Sequence, residues 1–224
     1  MEKLKTYIDQ EIELEISGKT IFFGILKDVG PDILVLYDGR KFLYIPLLHV
    51  HNMKERVEKE LTGIQQPEVF GGLENGDEQE ISYRKTLSNA KGQFLELFVT
   101  GNKSLHGYIT SVLNDYIVFY SPVYKNVFIS MHHLKWFTPY SCQSTPYTLS
   151  SKELPVVPLN VPLARSFEEQ LKKYKETLII FDIGEEPDKI GLLKNVENNM
   201  IELVTADSGI VFWKLSHLKM FHLP

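Results

Sequence analysis

Apolar and acidic residues alternate along Ile12-Glu13-Leu14-Glu15-Ile16, the signature of a strand with one buried and one solvated face. Ser17-Gly18-Lys19 predicts a turn, and Thr20 to Val29 a second strand interrupted by Gly24. A glycine inside a strand marks a bend or a close backbone approach. Gly30-Pro31-Asp32 predicts another turn, before Ile33 to Tyr37, a third strand apolar on both faces. Asp38-Gly39 is a two-residue hairpin signal leading into a fourth strand from Lys41 to Ile45. Pro46 ends that strand, and Leu47 to Met53 predicts a short fifth. A short helix is expected within Met1 to Gln10.

The same phrase recurs twice. His49, His133 and His217 are evenly spaced (133 − 49 and 217 − 133 are both 84). Gly24, Gly107 and Gly191 each sit in an apolar run, and eight residues past them come Asp32, Asp115 and Asn199. Phe94 to Val99 and Leu178 to Ile183 match the first strand, Tyr116 to Tyr120 and Met200 to Thr205 the third, Val127 to Ser130 and Ile210 to Leu215 the fourth. From Asp32 to His49 is 17 residues, against 18 in the later copies, and the difference falls in the hairpin turn, where length changes are cheapest. Ser166 predicts a helix N-cap with Glu169 as its capping-box partner and a helix running to about Lys175; Ile81 to Ala90 is the equivalent segment before the second copy. A fixed period with matched glycines and turns signals repeated structural units. The organisation expected is a first repeat over 1–54, an acidic linker over 55–80, a second repeat over 81–137, a Pro/Ser-rich linker over 138–162 and a third repeat over 163–224. Units of roughly 55 to 60 residues bury too little surface alone, so they are expected to pack on one another.

Composition narrows the function. With 24 basic and 29 acidic residues the chain carries a net charge of −5 and a pI near 5.8, which is not the basic field that nonspecific nucleic-acid binding wants. Cys142 is the single cysteine, so no intrachain disulfide and no cysteine-based zinc site can form, and it lacks an evident activating neighbour. Met1-Glu2-Lys3-Leu4-Lys5 does not open a signal peptide, and no run approaches the about 18 apolar residues of a membrane span, so a cytoplasmic location and no membrane partner are expected. In that compartment the sequon Asn102-Lys103-Ser104 is uninformative.

A short helix followed by five strands, with a glycine in a bent second strand, resembles the Sm-like (LSm) small β-barrel. Gly24-Ile25-Leu26 followed by Asp32-Ile33-Leu34-Val35-Leu36 has the order of that superfamily's first motif. Its second motif, a basic residue beside a glycine, is not recognisable near Ile45, Ile129 or Leu215. Tyr44-Ile45-Pro46-Leu47-Leu48-His49 is also similar to a phrase in short, single-unit proteins of Bacillus-type spore formers. The first resemblance implies a mainly β fold of three tandem five-stranded barrels, each preceded by a short helix, packed as a pseudo-trimer. The second implies a sporulation or spore-coat context.

Candidate interaction residues are Asp32, Asp115 and Asn199 with His49, His133 and His217. The histidines admit two readings: converging imidazoles that suit a late transition metal, or three strand-closing hydrogen bonds. No metal and no cofactor are assigned. Gly24, Gly107 and Gly191 read as structural. The turn residues read first as turn caps and second as ligand contacts. The Sm-like family places an asparagine at that turn to hold a base, and carboxylates at Asp32 and Asp115 would repel a phosphate chain. Tyr37, Tyr116, Tyr120, Trp136 and Trp213 could stack bases but read first as core or inter-unit contacts. Glu74, Asp77, Glu78 and Glu80 read as a solvated loop, with docking as the second reading. No catalytic motif is present. The function expected is a non-enzymatic assembly protein whose open fourth- and fifth-strand edges pair with other proteins or with itself. The alternative is an RNA-binding Sm-like protein.

Overall fold

The computed structural model of the protein describes residues 2–56, 63–66, 73, 80–100, 103–140, 146–148 and 162–224, the side chains of 100, 103 and 146 excepted. Cys142, Asn102, Glu74, Asp77, Glu78 and most of both expected linkers lie outside the described residues. The first copy comprises α1 (Glu2–Lys5), β1 (Glu11–Ile16), β2 (Thr20–Val29), β3 (Ile33–Tyr37), β4 (Phe42–Pro46) and β5 (Val50–Glu55). The middle copy comprises α2 (Tyr83–Asn89), β6 (Phe94–Thr100), β7 (Lys103–Val112), β8 (Tyr116–Ser121), β9 (Lys125–Ser130) and β10 (Trp136–Pro139). The last comprises α3 (Phe167–Lys172), β11 (Leu178–Phe181), β12 (Ile190–Glu197), β13 (Met200–Val204), β14 (Ile210–Lys214) and β15 (Met220–His222).

The chain divides into two compact units, Met1–Val99 with Leu134–Ser144 and Thr100–His133 with Thr145–Pro224. The boundary between units is not a boundary between copies. The first unit holds the whole first copy with β10 and β6 up to Val99, in the order β6-β10-β4-β3-β2-β1-β5. The second holds β7 to β9 with the whole last copy, in the order β14-β13-β12-β11-β15-β9-β8-β7. The described ladders within both are antiparallel.

The alternation in the first strand is realised in full: Ile12, Leu14 and Ile16 are buried, and the three acidic residues between and before them are half-exposed. They join Leu26, Leu36, Leu43 and Ile45 in the first unit's core. The second unit's core gathers Tyr116, Val118 and Phe128 with Phe167, Phe181 and Phe221. Each copy bends its second strand in the same way. The β2–β3 register shifts between Leu26 and Asp28, and the equivalent shifts fall at Ile109/Ser111 and Leu193/Asn195. A Cβ on Gly24, Gly107 or Gly191 would lie 2.4, 2.0 or 2.6 Å from a carbonyl oxygen of the facing strand. The repeated glycines therefore let two backbones approach closely at the bend.

Three expectations are corrected. The five-stranded barrels do not close. In the first copy the order is β5-β1-β2-β3-β4, and among the described residues no ladder joins β4 back to β5. The edge that would close the barrel is taken instead by the next copy, β4 by β10 and β9 by β15. The fifth strand begins later than its apolar pattern predicts. Leu47–His49, Met131–His133 and Leu215–His217 are single 3-10 turns, so the histidines end a turn rather than lie in the closing strand. Helix α3 stops at Lys172, short of Lys175.

Candidate functional site

The three turn residues do a shared job and then diverge. The backbone carbonyls of Asp32, Asp115 and Asn199 accept the N–H groups of Leu47, Met131 and Leu215, the first residues of the 3-10 turns, at 2.8 to 2.9 Å. Their side chains differ in target. Asp32 Oδ1 accepts the N–H of Tyr83 at 2.7 Å, and Asp115 Oδ1 accepts that of Phe167 at 2.8 Å. Tyr83 and Phe167 are the first residues of α2 and α3, whose N–H groups have no partner within the helix. Each aspartate thus fastens its own copy to the helix that opens the next. Ser166 completes the α3 cap by accepting from the Glu169 N–H at 3.3 Å, as the sequence predicts, while the Glu169 carboxylate turns to Lys172 at 2.8 Å. Asn199 has no following helix among the described residues, and its Oδ1 accepts the Ser216 N–H of its own copy at 3.2 Å. Charge sits where a helix N-terminus follows and a neutral amide where none does.

The histidines occupy three different environments. His49 is buried, with its Nδ1 3.1 Å from the Ser17 hydroxyl. His133 is half-buried and donates from Nε2 to the Ser216 carbonyl at 3.0 Å, and burial lowers its pKa. His217 is exposed. Among the described residues no three of His, Cys, Asp or Glu come together as metal ligands. The candidate stackers Tyr116, Tyr120 and Trp136 are buried, and the Tyr116 hydroxyl, pushed up to about 12 by burial, donates to the Ala164 carbonyl at 2.8 Å. Tyr37 and Trp213 are half-buried; Tyr37 packs on Phe42, and the Trp213 indole N–H donates to the Asp188 carbonyl at 3.0 Å.

Within the second unit a cleft of about 250 Å3 brings Asp115, His133 and Asn199 together, with Ser130, His132 and Ser216 on its walls. Among the described residues neither Lys nor Arg lines it, and Glu168 adds a second carboxylate.

The more telling surface carries none of these candidate residues. Where one copy meets the next, the fourth strand of the first pairs with the fifth strand of the second, and an aromatic pair is directly opposed. Tyr44 faces Phe137 across β4–β10 with ring centroids 5.1 Å apart, and Phe128 faces Phe221 across β9–β15 at 4.5 Å; both pairs are stacked. The position recurs every 84 residues, so the third member of the series is Phe212 on β14. Tyr44 and Phe128 are 0% and 1% exposed, whereas Phe212 is 61% exposed and Ile210 beside it 60%. Among the described residues β14 pairs with β13 alone, and β5 with β1 alone. The 84-residue period that marks the histidines could also have exposed this series.

The family model described as the YwrJ third domain matches residues 166–221, which span the last copy from its cap to β15. Along its whole length the chain is similar to the Uncharacterized protein YwrJ of Bacillus subtilis (strain 168), 54% identical over 227 residues and covering 100% of both chains. The match runs through all three copies rather than a single unit, and its Bacillus source agrees with the resemblance of the Tyr44–His49 phrase. The chain belongs to the YwrJ family.

Proposed function

We propose that this protein is a non-enzymatic assembly protein of Sm-like design, working in sporulation or the spore coat, that joins other proteins through its open strand edges. One observation carries the reading: a position buried at both internal junctions is exposed on β14. An edge strand with free backbone groups and large apolar side chains is a ready template for another strand. The Sm-like part draws support from the strand order β5-β1-β2-β3-β4, the glycine-marked bend in the second strand and the turn before the fifth. The packing of the copies as a pseudo-trimer belongs to the same proposal. The spore context rests on the resemblance of the first-copy phrase and on the Bacillus relative.

The test follows the tagged chain through sporulation of a Bacillus host, wild type beside Phe212→Glu. Wild type is expected in high-mass complexes and in the coat fraction, with the variant left soluble. Identical high-mass profiles overturn the edge as the working surface. A wild-type chain that never enters the coat fraction overturns the spore context. RNA binding is the second reading, since the cleft collects three turn and histidine residues. Its acidic lining weighs against a phosphate chain; no shift of uridine- or adenine-rich RNA at low salt would remove it.

A further inference from the structure

We infer that the partner seated on β14 is the β5 edge of a second copy of this chain, with Phe212 laid against Met53. The inference rests on the reading of open edges as docking sites and adds the identity of the occupant.

Two complete cross-strand rows and two half-rows carry it. At the first junction the row is Val35–Tyr44–Phe137–Leu97, and at the second Val118–Phe128–Phe221–Phe181. Each crosses from the third and fourth strands of one copy to the fifth and first of the next. At the two edges left open among the described residues, the equivalent residues are Glu202–Phe212 on one side and Met53–Leu14 on the other. The fourth-strand edge ends in an exposed aromatic, and the fifth-strand edge offers a half-buried methionine over the buried Leu14. A thioether on an aromatic face is a favourable contact. The two half-rows complete each other as the internal junctions do.

The second junction adds one more contact. His133 donates to the Ser216 carbonyl across the second junction. One copy further on, the pair becomes His217 and the Leu48 carbonyl; His217 is exposed and Leu48 is 50% exposed. Both donor and acceptor regions are thus open on the surfaces that the pairing would join. Glu202 stands where Val35 and Val118 back the other two aromatics, and a charge behind an open edge is a device that keeps a free strand from pairing indiscriminately. Because the two edges differ, the contact is heterologous, head to tail.

Sedimentation of the purified full chain across a wide concentration range tests this. Wild type is expected to rise to a mass of two or more chains. Phe212→Glu blocks one edge and Met53→Glu the other, so each alone stays monomeric. Mixed, they form a two-chain complex through the edge each retains. Should Met53→Glu unfold, mixed F212C and M53C chains in a Cys142→Ser background give an interchain disulfide on oxidation, while mixed I210C and M53C chains do not, because a bridge needs directly opposed residues. A wild-type chain that is monomeric throughout, or no disulfide from the F212C and M53C mixture, overturns the second copy as partner. If Phe212→Glu nonetheless dissolves the cellular complexes, the edge reading stands without it; if it dissolves neither, both fall.

Discussion

The two internal junctions are built on one plan but held by different means. At the first, a single opposed pair, Tyr44 with Phe137, joins β4 to β10. Polar ties at its rim add to this: Lys41 pairs with Glu96 at 2.8 Å, and Lys135 donates to the Ser17 carbonyl at 3.0 Å. At the second, three opposed pairs join β9 to β15, and Phe221 lies within 4.5 to 6.2 Å of Phe128, Phe167, Tyr174 and Phe181. Helix α3 closes over that cluster with Phe167 and Leu171 buried. Surface ion pairs contribute little in water, whereas clustered aromatics contribute both area and ring contacts. The second junction should therefore be the stronger clasp and the first the one that opens earlier.

The sharpest way to break this contrast is Phe221→Ala. Removing a fully buried aromatic from the centre of the cluster should cost about 3–5 kcal/mol, read as a loss of stability in urea unfolding of the full chain. Phe137→Ala removes an equally buried ring with one aromatic partner among the described residues and should fall at the lower end, about 3 kcal/mol. An equal or larger loss from Phe137→Ala would reverse the ranking of the junctions. Next in size are the helix clasps. Asp32→Ala and Asp115→Ala each leave a helix N-terminal N–H without its side-chain acceptor and should cost about 1–2 kcal/mol. Hydrogen exchange at the Tyr83 and Phe167 amides would report each loss locally. Asn199→Ala, with no helix to hold among the described residues, should cost less.

Much of this plan is legible in the chain. The alternation of Ile12 to Ile16, the Asp38-Gly39 hairpin and the Ser166 cap are local signals whose outcome depends on a few neighbouring residues. The glycines at 24, 107 and 191 stand out in the sequence as breaks in apolar runs, and at each a Cβ would meet the facing strand. Less legible is anything decided by residues far apart. Leu47-Leu48-His49 is apolar enough for a strand, but the Asp32 carbonyl captures the Leu47 N–H and tightens the segment into a turn. The aspartates look like turn residues because they are; that their carboxylates reach 51 and 52 residues ahead needs the fold. Nor does any local pattern show that the two compact units cut through the middle copy, since strand exchange between copies decides it.

Acid should separate the units in a further, smaller way. Burial lowers the pKa of His133 and of His222, both in the second unit. His133 also feels the Ser216 carbonyl and Asp182, which raise it, and His132 and Lys219, which lower it. A depressed histidine binds fewer protons folded than unfolded, so its stability contribution is present above 6.5 and is lost as pH falls through the folded pKa. Burial raises the pKa of Asp28 in the first unit, so its charge opposes folding above that raised pKa and protonation relieves the cost as pH falls. Hydrogen exchange followed from neutral to mildly acidic pH should show the second unit loosening first. Earlier loosening in the first unit would contradict this assignment.

The smallest expected effect is the most informative about the open edge of β14. Phe128→Ser removes a ring buried between two copies and should destabilise the chain by roughly 3 kcal/mol or more. Phe212→Ser alters the equivalent residue, already exposed to water, and in the isolated chain should change stability by less than about 0.5 kcal/mol. The test is to repeat both melts as protein concentration rises. If Phe212 stands free, the two curves for its variant and wild type coincide at every concentration. If an occupant completes its row, they coincide only when dilute and separate as the wild type gains the stability that binding adds to the folded state. The Phe128 variant keeps its deficit at all concentrations, because its partner strand belongs to the same chain.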